Sequence, residues 1–344
     1  MKRRSVALTA TAGAAAGLLG LTALTLPAGA AKPDLPAIEP EELVSSAMTA
    51  RSPEMAGTIR VDNDLGLPAL PGVPESSPLS GGSSTLRAWS DGQGRHRLTV
   101  PSEGGEKTVV DDGDTVWKWS STERTVTKYR PDATREHRPA TTPAETARHL
   151  IAKLRESSEV AVDGTASVAG RDAYELVLTP EPTERTVLRE VRIAIGAEKR
   201  IPLRVVVETD GARQPALKAG FTKLSLEPQD SELFRFTPPA GAKVTTPEAP
   251  ERTERARHRV VGAGWDSVLL TRLPQEPQSR QGTDDGPKDP RDLARRIGEP
   301  VSGDWGRGWI VTTRSGSALL TADGRLAVGA VPEQVLTGAM GAPR

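Results

Sequence analysis

The chain has 344 residues, enough for two domains, and its 45 basic side chains balance its 45 acidic ones. Because the net charge is zero, no overall field draws the protein to nucleic acid, and nucleic-acid binding is not expected. Cysteine is absent, which excludes a disulfide framework, a thiol nucleophile and a cysteine-based metal site.

Residues 1–31 have the pattern of an export signal. Lys2 to Arg4 form a basic start, Val6 to Leu26 are almost wholly apolar, and Ala28-Gly29-Ala30 has the small-x-small form of a cleavage site. An uncleaved anchor is the alternative, because the apolar run approaches the ~20 residues that span a bilayer. We expect cleavage near Ala30 or Ala31 and an extracytoplasmic protein, either secreted or in the cell envelope.

The next segment predicts a short helix and then hairpins. Glu41–Ala50 is a helix candidate and Gly57–Val61 a strand. Residues Gly66–Ser84 are rich in Pro and Gly and are predicted to be irregular, either as an apolar flap or as a disordered insertion. From Leu86 to Tyr129, short alternating runs are separated by turn signals, which is typical of antiparallel hairpins.

Trp117 and Trp119 stand out in the second strand of the Lys107–Tyr129 hairpin. Side chains alternate between the faces of a strand, so both indoles point to one side and Lys118 to the other. Such a pair forms a broad apolar surface with a polar edge. That surface has to be covered either by the core or by a ligand.

A helix and a long meander follow. Thr142-Pro143-Ala144-Glu145 is a capping box with Pro at the first helical position. The apolar stripe of this helix comprises Ala147, Leu150, Ile151 and Leu154. Alternating strands then continue to Val244, with one polar and one apolar face.

Residues 247–259 are predicted to be a linker, whose charged run is either a solvated connector or a partner-binding patch. Residues 260–344 predict a small α+β domain with helices at Arg291–Ile297 and from Pro332, and a tight turn at Ala322-Asp323-Gly324.

Catalytic constellations are not found in the sequence. The four His residues are scattered, and no metal-binding or nucleophile motif accompanies them. Asp111, Asp112 and Asp114 surround Gly113, where turn geometry accounts for them. We therefore expect no enzyme activity, no cofactor and no metal.

The order of these motifs resembles the LolA-type lipoprotein-carrier superfamily, which includes the RseB/MucB-type regulators of envelope-stress sigma factors. The resemblance covers Pro40–Val244. It is carried by Val110, Asp112, Gly113, Val116, Trp117, Trp119, Thr142-Pro143, Phe234, Phe236, Pro238, Pro239, Gly241 and Val244.

The resemblance implies a mainly β (α+β) fold. Residues 32–246 would form an unclosed antiparallel β half-barrel whose helical lid encloses an apolar cavity. The residues expected to line it are Trp89, Leu98, Val100, Val110, Trp117, Trp119, Val126, Leu150, Ile151, Leu154, Tyr174, Leu176, Leu178, Val191, Ile193, Val205, Val207 and Phe221.

Such a cavity would hold the acyl chains of a lipid or an acylated lipoprotein, so the first functional hypothesis is a carrier or chaperone-like binder. The small C-terminal domain favours the alternative of an RseB/MucB-like regulator that binds a membrane protein such as an anti-sigma factor. An enzyme on the same scaffold is the third hypothesis.

Overall fold

The computed structural model describes residues 32–66, 82–102, 104–130, 143–246, 258–273 and 290–342. The predicted signal peptide, most of the Pro-rich segment, Thr142 of the capping box and residues 247–257 of the linker lie outside the described residues. No helix in these ranges is long and apolar enough to span a membrane.

The described residues form four helices and eighteen strands. The helices are α1 (Pro40–Thr49), α2 (Pro143–Leu154), α3 (Pro290–Ile297) and α4 (Glu333–Gly341). The strands are β1 (Glu54–Asn63), β2 (Gly82–Asp91), β3 (His96–Ser102), β4 (Gly105–Asp111), β5 (Val116–Ser120), β6 (Thr125–Tyr129), β7 (Ser158–Val168), β8 (Arg171–Pro180), β9 (Leu188–Gly196), β10 (Pro202–Thr209), β11 (Leu217–Ser225), β12 (Lys243–Thr245), β13 (Arg259–Val261), β14 (Val268–Arg272), β15 (Glu299–Gly303), β16 (Gly306–Thr313), β17 (Gly316–Thr321) and β18 (Arg325–Gly329).

The first twelve strands make one sheet in the order β12-β6-β5-β4-β3-β2-β1-β11-β10-β9-β8-β7. All neighbours are antiparallel except β12, which runs parallel to β6. The edge strands β12 and β7 are not paired with each other, so the sheet is open. The predicted mainly β fold with a large unclosed antiparallel sheet is confirmed.

One predicted boundary is wrong. Gly82, Ser83 and Ser84 were expected to continue the irregular Pro-rich segment, but they begin β2 and pair with the end of β1. Gly and Ser have weak strand propensity by themselves. They adopt extended backbone here because β1 offers a complete ladder of hydrogen-bond partners.

The two helices of this domain pack at the β7–β9 end of the sheet. Leu43 of α1 and Ile151 of α2 are completely buried, and both join a core cluster with side chains of β7, β8 and β9. The other members of that cluster are Val160, Tyr174, Leu176, Leu178 and Ile195.

The remaining six strands form a second sheet in the order β13-β14-β18-β17-β16-β15. Helix α4 packs on one face, where Leu336 and Met340 join Val268, Ile310 and Leu319 in a buried cluster. Helix α3 lies against β16, and Arg295 stacks 5.0 Å from the centre of the Trp309 ring.

The second sheet and its helices dock on the first through a short 3-10 helix at Gly264–Asp266. Trp265 packs against the core cluster beneath α1 and α2, and its indole Nε1 donates to the buried Ser158 Oγ at 2.7 Å. The Glu184 carboxylate accepts the backbone N–H groups of Trp265 and Asp266.

Two further contacts hold the docked unit in place. The Val187 N–H donates to the Ala330 carbonyl at 3.0 Å. Arg314 forms an ion pair with Asp64 at 2.5 Å.

Candidate ligand-binding face

The ladder pairings divide the side chains of the large sheet into two faces. Directly paired residues point to the same side of a sheet, and successive residues alternate. The helix face is the side that carries Tyr174, Leu176 and Leu178, which pack under α1 and α2. The Trp face is the side that carries Trp89, Trp117 and Trp119.

Apolar side chains occur on the helix face across its whole width. From β8 to β1 the paired residues are Leu176, Ile193, Val205, Ala219 and Val61. The neighbouring positions on β1 to β6 that share this face include Ile59, Leu86, Ala88, Leu98, Val100, Val109, Val116 and Tyr129. Every described strand from β6 to β7 therefore contributes hydrocarbon or an aromatic ring to one surface.

Burial along this face is uneven. Under the helices, Leu176 is 5% exposed, whereas Leu98 and Tyr129 at the opposite end are each 37% exposed. Between them, Ile59, Val205 and Val207 are half-buried. Apolar side chains left in water at this density mark a surface that binds something apolar.

The Trp face is closed by a chain connector, residues 226–242, which crosses it. Phe236 stacks on Trp117 with 5.6 Å between the ring centres, and the completely buried Phe234 lies beneath the Arg95 guanidinium. Arg97 donates to the Leu233 carbonyl at 3.3 Å. The Trp117 indole is therefore packed against protein rather than open to a ligand.

The same face is charged at its other end. Arg192 contacts Glu190 at 2.6 Å, and Arg204 contacts Glu175 at 2.6 Å. The hydrogen bond that Arg192 donates to the Glu190 carboxylate raises the pKa of Arg192 despite its partial burial. The two faces of one sheet thus differ in polarity, and the helix face is the apolar one.

The residues predicted to line the cavity divide between the two faces of the sheet. Nine lie on the helix face: Leu98, Val100, Tyr174, Leu176, Leu178, Val191, Ile193, Val205 and Val207. Five lie on the Trp face: Trp89, Val110, Trp117, Trp119 and Val126. Trp117 and Trp119 share a face, and the register of the sheet puts that face on the side away from α1 and α2.

The remaining four predicted residues behave differently from one another. Ile151 is completely buried and Leu154 packs at the edge of the same cluster. Leu150 is 44% exposed, because it falls at the rim of the helical stripe that Ala147 and Ile151 define. Phe221 pairs with Ile59 of the helix face, next to a bulge in β11, and packs against the buried cluster that contains Ala173 and Leu203.

The helix face includes residues that the sequence reading missed, namely Ile59, Val61, Leu86, Val109 and Leu217. Ile59 and Val61 alternate with Thr58 and Arg60, and this period of two was the available signal. Gly57 shares the pattern and is required there: a Cβ on it would lie 2.3 Å from the Phe221 ring.

Polar chemistry on the helix face is sparse. Its charged members on β4 and β5 are Lys107, Asp111 and Lys118, and Lys118 Nζ lies 5.2 Å from the centre of the Tyr129 ring. Within the described ranges, no group of three His, Asp or Glu side chains is arranged to hold a metal ion.

Comparisons with known proteins find structural likeness at low sequence identity. No family model and no curated protein matches the chain. The structure of MucB in complex with MucA(peri) is 18% identical, with a TM-score of 0.44, over 87% of this chain and 94% of that chain. The structure of the Pseudomonas aeruginosa MucA/MucB complex is also 18% identical, with a TM-score of 0.45, over 87% of this chain and 94% of that chain.

A LolA superfamily protein from Nitrosomonas europaea is 11% identical, with a TM-score of 0.26, over 58% of this chain and 99% of that chain. The chain is therefore similar to MucB and to LolA-superfamily structures, the group that its sequence motifs resemble. At these identities and TM-scores the likeness carries no ligand or partner over to this chain.

Proposed function

We propose that this protein is an exported, non-enzymatic binder of the acyl chains of a lipid or a lipoprotein, and that the helix face is its binding surface. The observation that carries the proposal is the continuity of that face. Each strand from β6 to β7 adds apolar side chains to it, and in the described part of the chain the helices α1 and α2 pack at the β7–β9 end.

Acyl chains fit this surface because the interaction needs area rather than directed polar groups. Burying hydrocarbon stabilises a complex by about 25 cal/mol for each Å² removed from water. An extended chain lying across the strands would contact the row Leu98, Leu86, Ile59 and onward toward the helices. The carrier or chaperone-like activity of the first hypothesis follows from reversible contact of this kind.

The test is a single charge placed on the open end of the helix face. Leu98→Asp should weaken binding of a fluorescent C16 fatty acid by about tenfold or more, because a carboxylate in an apolar contact is costly to desolvate. Binding is measured by fluorescence titration of the purified protein.

The matched control is Val244→Asp, which adds the same charge to a 46% exposed apolar residue of β12, next to Val126 of the Trp face. Its affinity should equal that of the unmodified protein. No binding by the unmodified protein, or an equal loss in both variants, contradicts the proposal.

A second candidate function, binding of a membrane protein such as an anti-sigma factor, is favoured by a separate surface. Val260, Leu269 and Val328 are paired across β13, β14 and β18 and are 57%, 42% and 40% exposed. They point away from the cluster under α4, so an apolar row lies open on the small sheet.

Site-specific photocrosslinking in cells tests this candidate. A photoreactive residue at Leu269 should give one discrete adduct with a membrane protein. The same residue at Arg272, which shares β14 but points to the other face, should not. Equal adducts from both positions, or none from Leu269, rules out the row as a partner site.

A further inference from the structure

A shallow cavity of about 340 Å³ lies on the Trp face, away from the acyl-binding surface proposed above. Its floor is β1, where Ala56 and Thr58 are small. Trp89 pairs with Ala56, and Arg87 pairs with Thr58 from β2. From the other side, β11 pairs Ser225 with Ala56 and Lys223 with Thr58.

These pairings define a trough with different chemistry at its two ends. Over Thr58, a guanidinium and an ammonium face each other from strands that are roughly 10 Å apart, two strand spacings. Over Ala56, the half-buried Trp89 indole forms one wall and the Ser225 hydroxyl stands opposite.

The lining of the trough is electropositive. Arg87 and Lys223 are exposed, and neither forms an ion pair with a carboxylate of the described residues. The acids on the same face of β1 flank the trough: Glu54 precedes Ala56, and Asp62 is held by Arg60 at 2.7 Å. The cationic end is therefore available to an anion.

We propose that this trough binds a phosphate monoester carried on a ring, of the sugar-phosphate class. The phosphate lies over Thr58 between Arg87 and Lys223, because arginine matches phosphate oxygens with paired N–H donors and lysine adds a point charge. The ring lies over Ala56, with its apolar side against Trp89 and its hydroxyls toward Ser225. Free sugar phosphates and the ring-phosphorylated head group of a phosphoinositide share this chemistry.

Calorimetric titration of the purified protein with glucose 6-phosphate tests the site, with glucose and inorganic phosphate as partial ligands. Glucose 6-phosphate should bind more tightly than either partial ligand, and its affinity should fall as salt is raised. Arg87→Gln and Lys223→Gln should each weaken it about fivefold or more. Trp89→Ala should remove the preference over inorganic phosphate.

The matched control is Lys218→Gln, which removes an exposed lysine from the same face of β11, outside the trough. Its affinity for glucose 6-phosphate should be unchanged. Vesicles with and without phosphatidylinositol 4-phosphate, whose ring carries a phosphate monoester, separate the two sources. Retention by these vesicles that Arg87→Gln abolishes assigns a head-group ligand, and its absence assigns the free ester.

No binding of glucose 6-phosphate, or equal effects of Lys223→Gln and Lys218→Gln, overturns the proposal. Leu98→Asp should leave this binding intact, so failure of the trough and failure of the acyl-binding proposal are separate results.

Discussion

Among single residues, Asp112 shows how a turn residue organises its neighbours. Its carboxylate accepts the backbone N–H groups of Asp114 and Thr115, and it also accepts the Trp117 indole N–H at 2.8 Å. Burial raises the pKa of Asp112, but these hydrogen bonds outweigh burial and hold the pKa below its ordinary value. The turn and the first Trp of β5 are therefore fixed by one ionised group.

Asp112→Ala should destabilise the protein by about 1–3 kcal/mol at pH 7, because partly buried donors lose their acceptor. A lowered folded-state pKa adds stability above the unfolded value of 3.8 and loses it as the pH falls below that value. The difference between the variant and the unmodified protein should thus shrink below about pH 3.8. Urea denaturation at several pH values measures it.

Asp114→Ala is the matched control, since Asp114 is exposed in the same turn and contributes its backbone N–H rather than its carboxylate to the network. Its stability should stay close to that of the unmodified protein at every pH. A pH-independent loss in Asp112→Ala would mean that the carboxylate charge does not fix the turn.

At the scale of secondary-structure elements, hydrophobic periods and capping signals predicted the presence of strands and helices. They did not predict which face of the sheet each element would pack against. The hairpins between β2 and β6 were expected from Asp-Gly and Gly-Gly signals, and α2 from its apolar stripe. The stripe as packed is narrower than predicted, since Leu150 is exposed while Ile151 is completely buried. Which side of a helix meets the sheet depends on the position of α1, and the sequence of α2 does not contain that information.

The register of the sheet decides which face the candidate site residues occupy. The sequence of β5 places Trp117 and Trp119 on one side of their strand. The face of the sheet to which that side belongs depends on pairing with Val110, Arg97 and Trp89 on three neighbouring strands. A one-residue change of register in any of them would exchange the faces.

For the molecule as a whole, the docking of the two sheets depends on Trp265. Gly264, with φ of +69°, places this indole against the core beneath the helices, and a Cβ on Gly264 would lie 2.5 Å from the Ser157 Cβ. Trp265 thereby connects the small sheet to the covered end of the helix face.

Trp265→Ala should loosen the docking without unfolding either sheet, because it removes apolar contact and leaves the buried Ser158 hydroxyl unpaired. Hydrogen exchange should accelerate at the Val187 amide, which donates to Ala330 across the interface. The Leu319 amide, in the core of the small sheet, should keep its protection.

Ser158→Ala is the control variant, because it removes the hydrogen bond to the Trp265 indole but keeps the indole itself. It should accelerate hydrogen exchange at the Val187 amide less than Trp265→Ala does. If Val187 exchanges at the same rate in Trp265→Ala and in the unmodified protein, the interface is held by its other contacts, such as the ion pair between Arg314 and Asp64.

The amino-acid sequence by itself determined the class of fold, the existence of most strands and helices, and the alternation of side chains within each strand. Those properties depend on turn chemistry and on local hydrophobic period, which short segments contain. Only the tertiary structure decided which face the helices cover, where Phe234 and Phe236 pack, and how Trp265 joins the two sheets. These features depend on pairing between residues far apart in the chain, and a local pattern does not specify the partner that a strand or a side chain will meet.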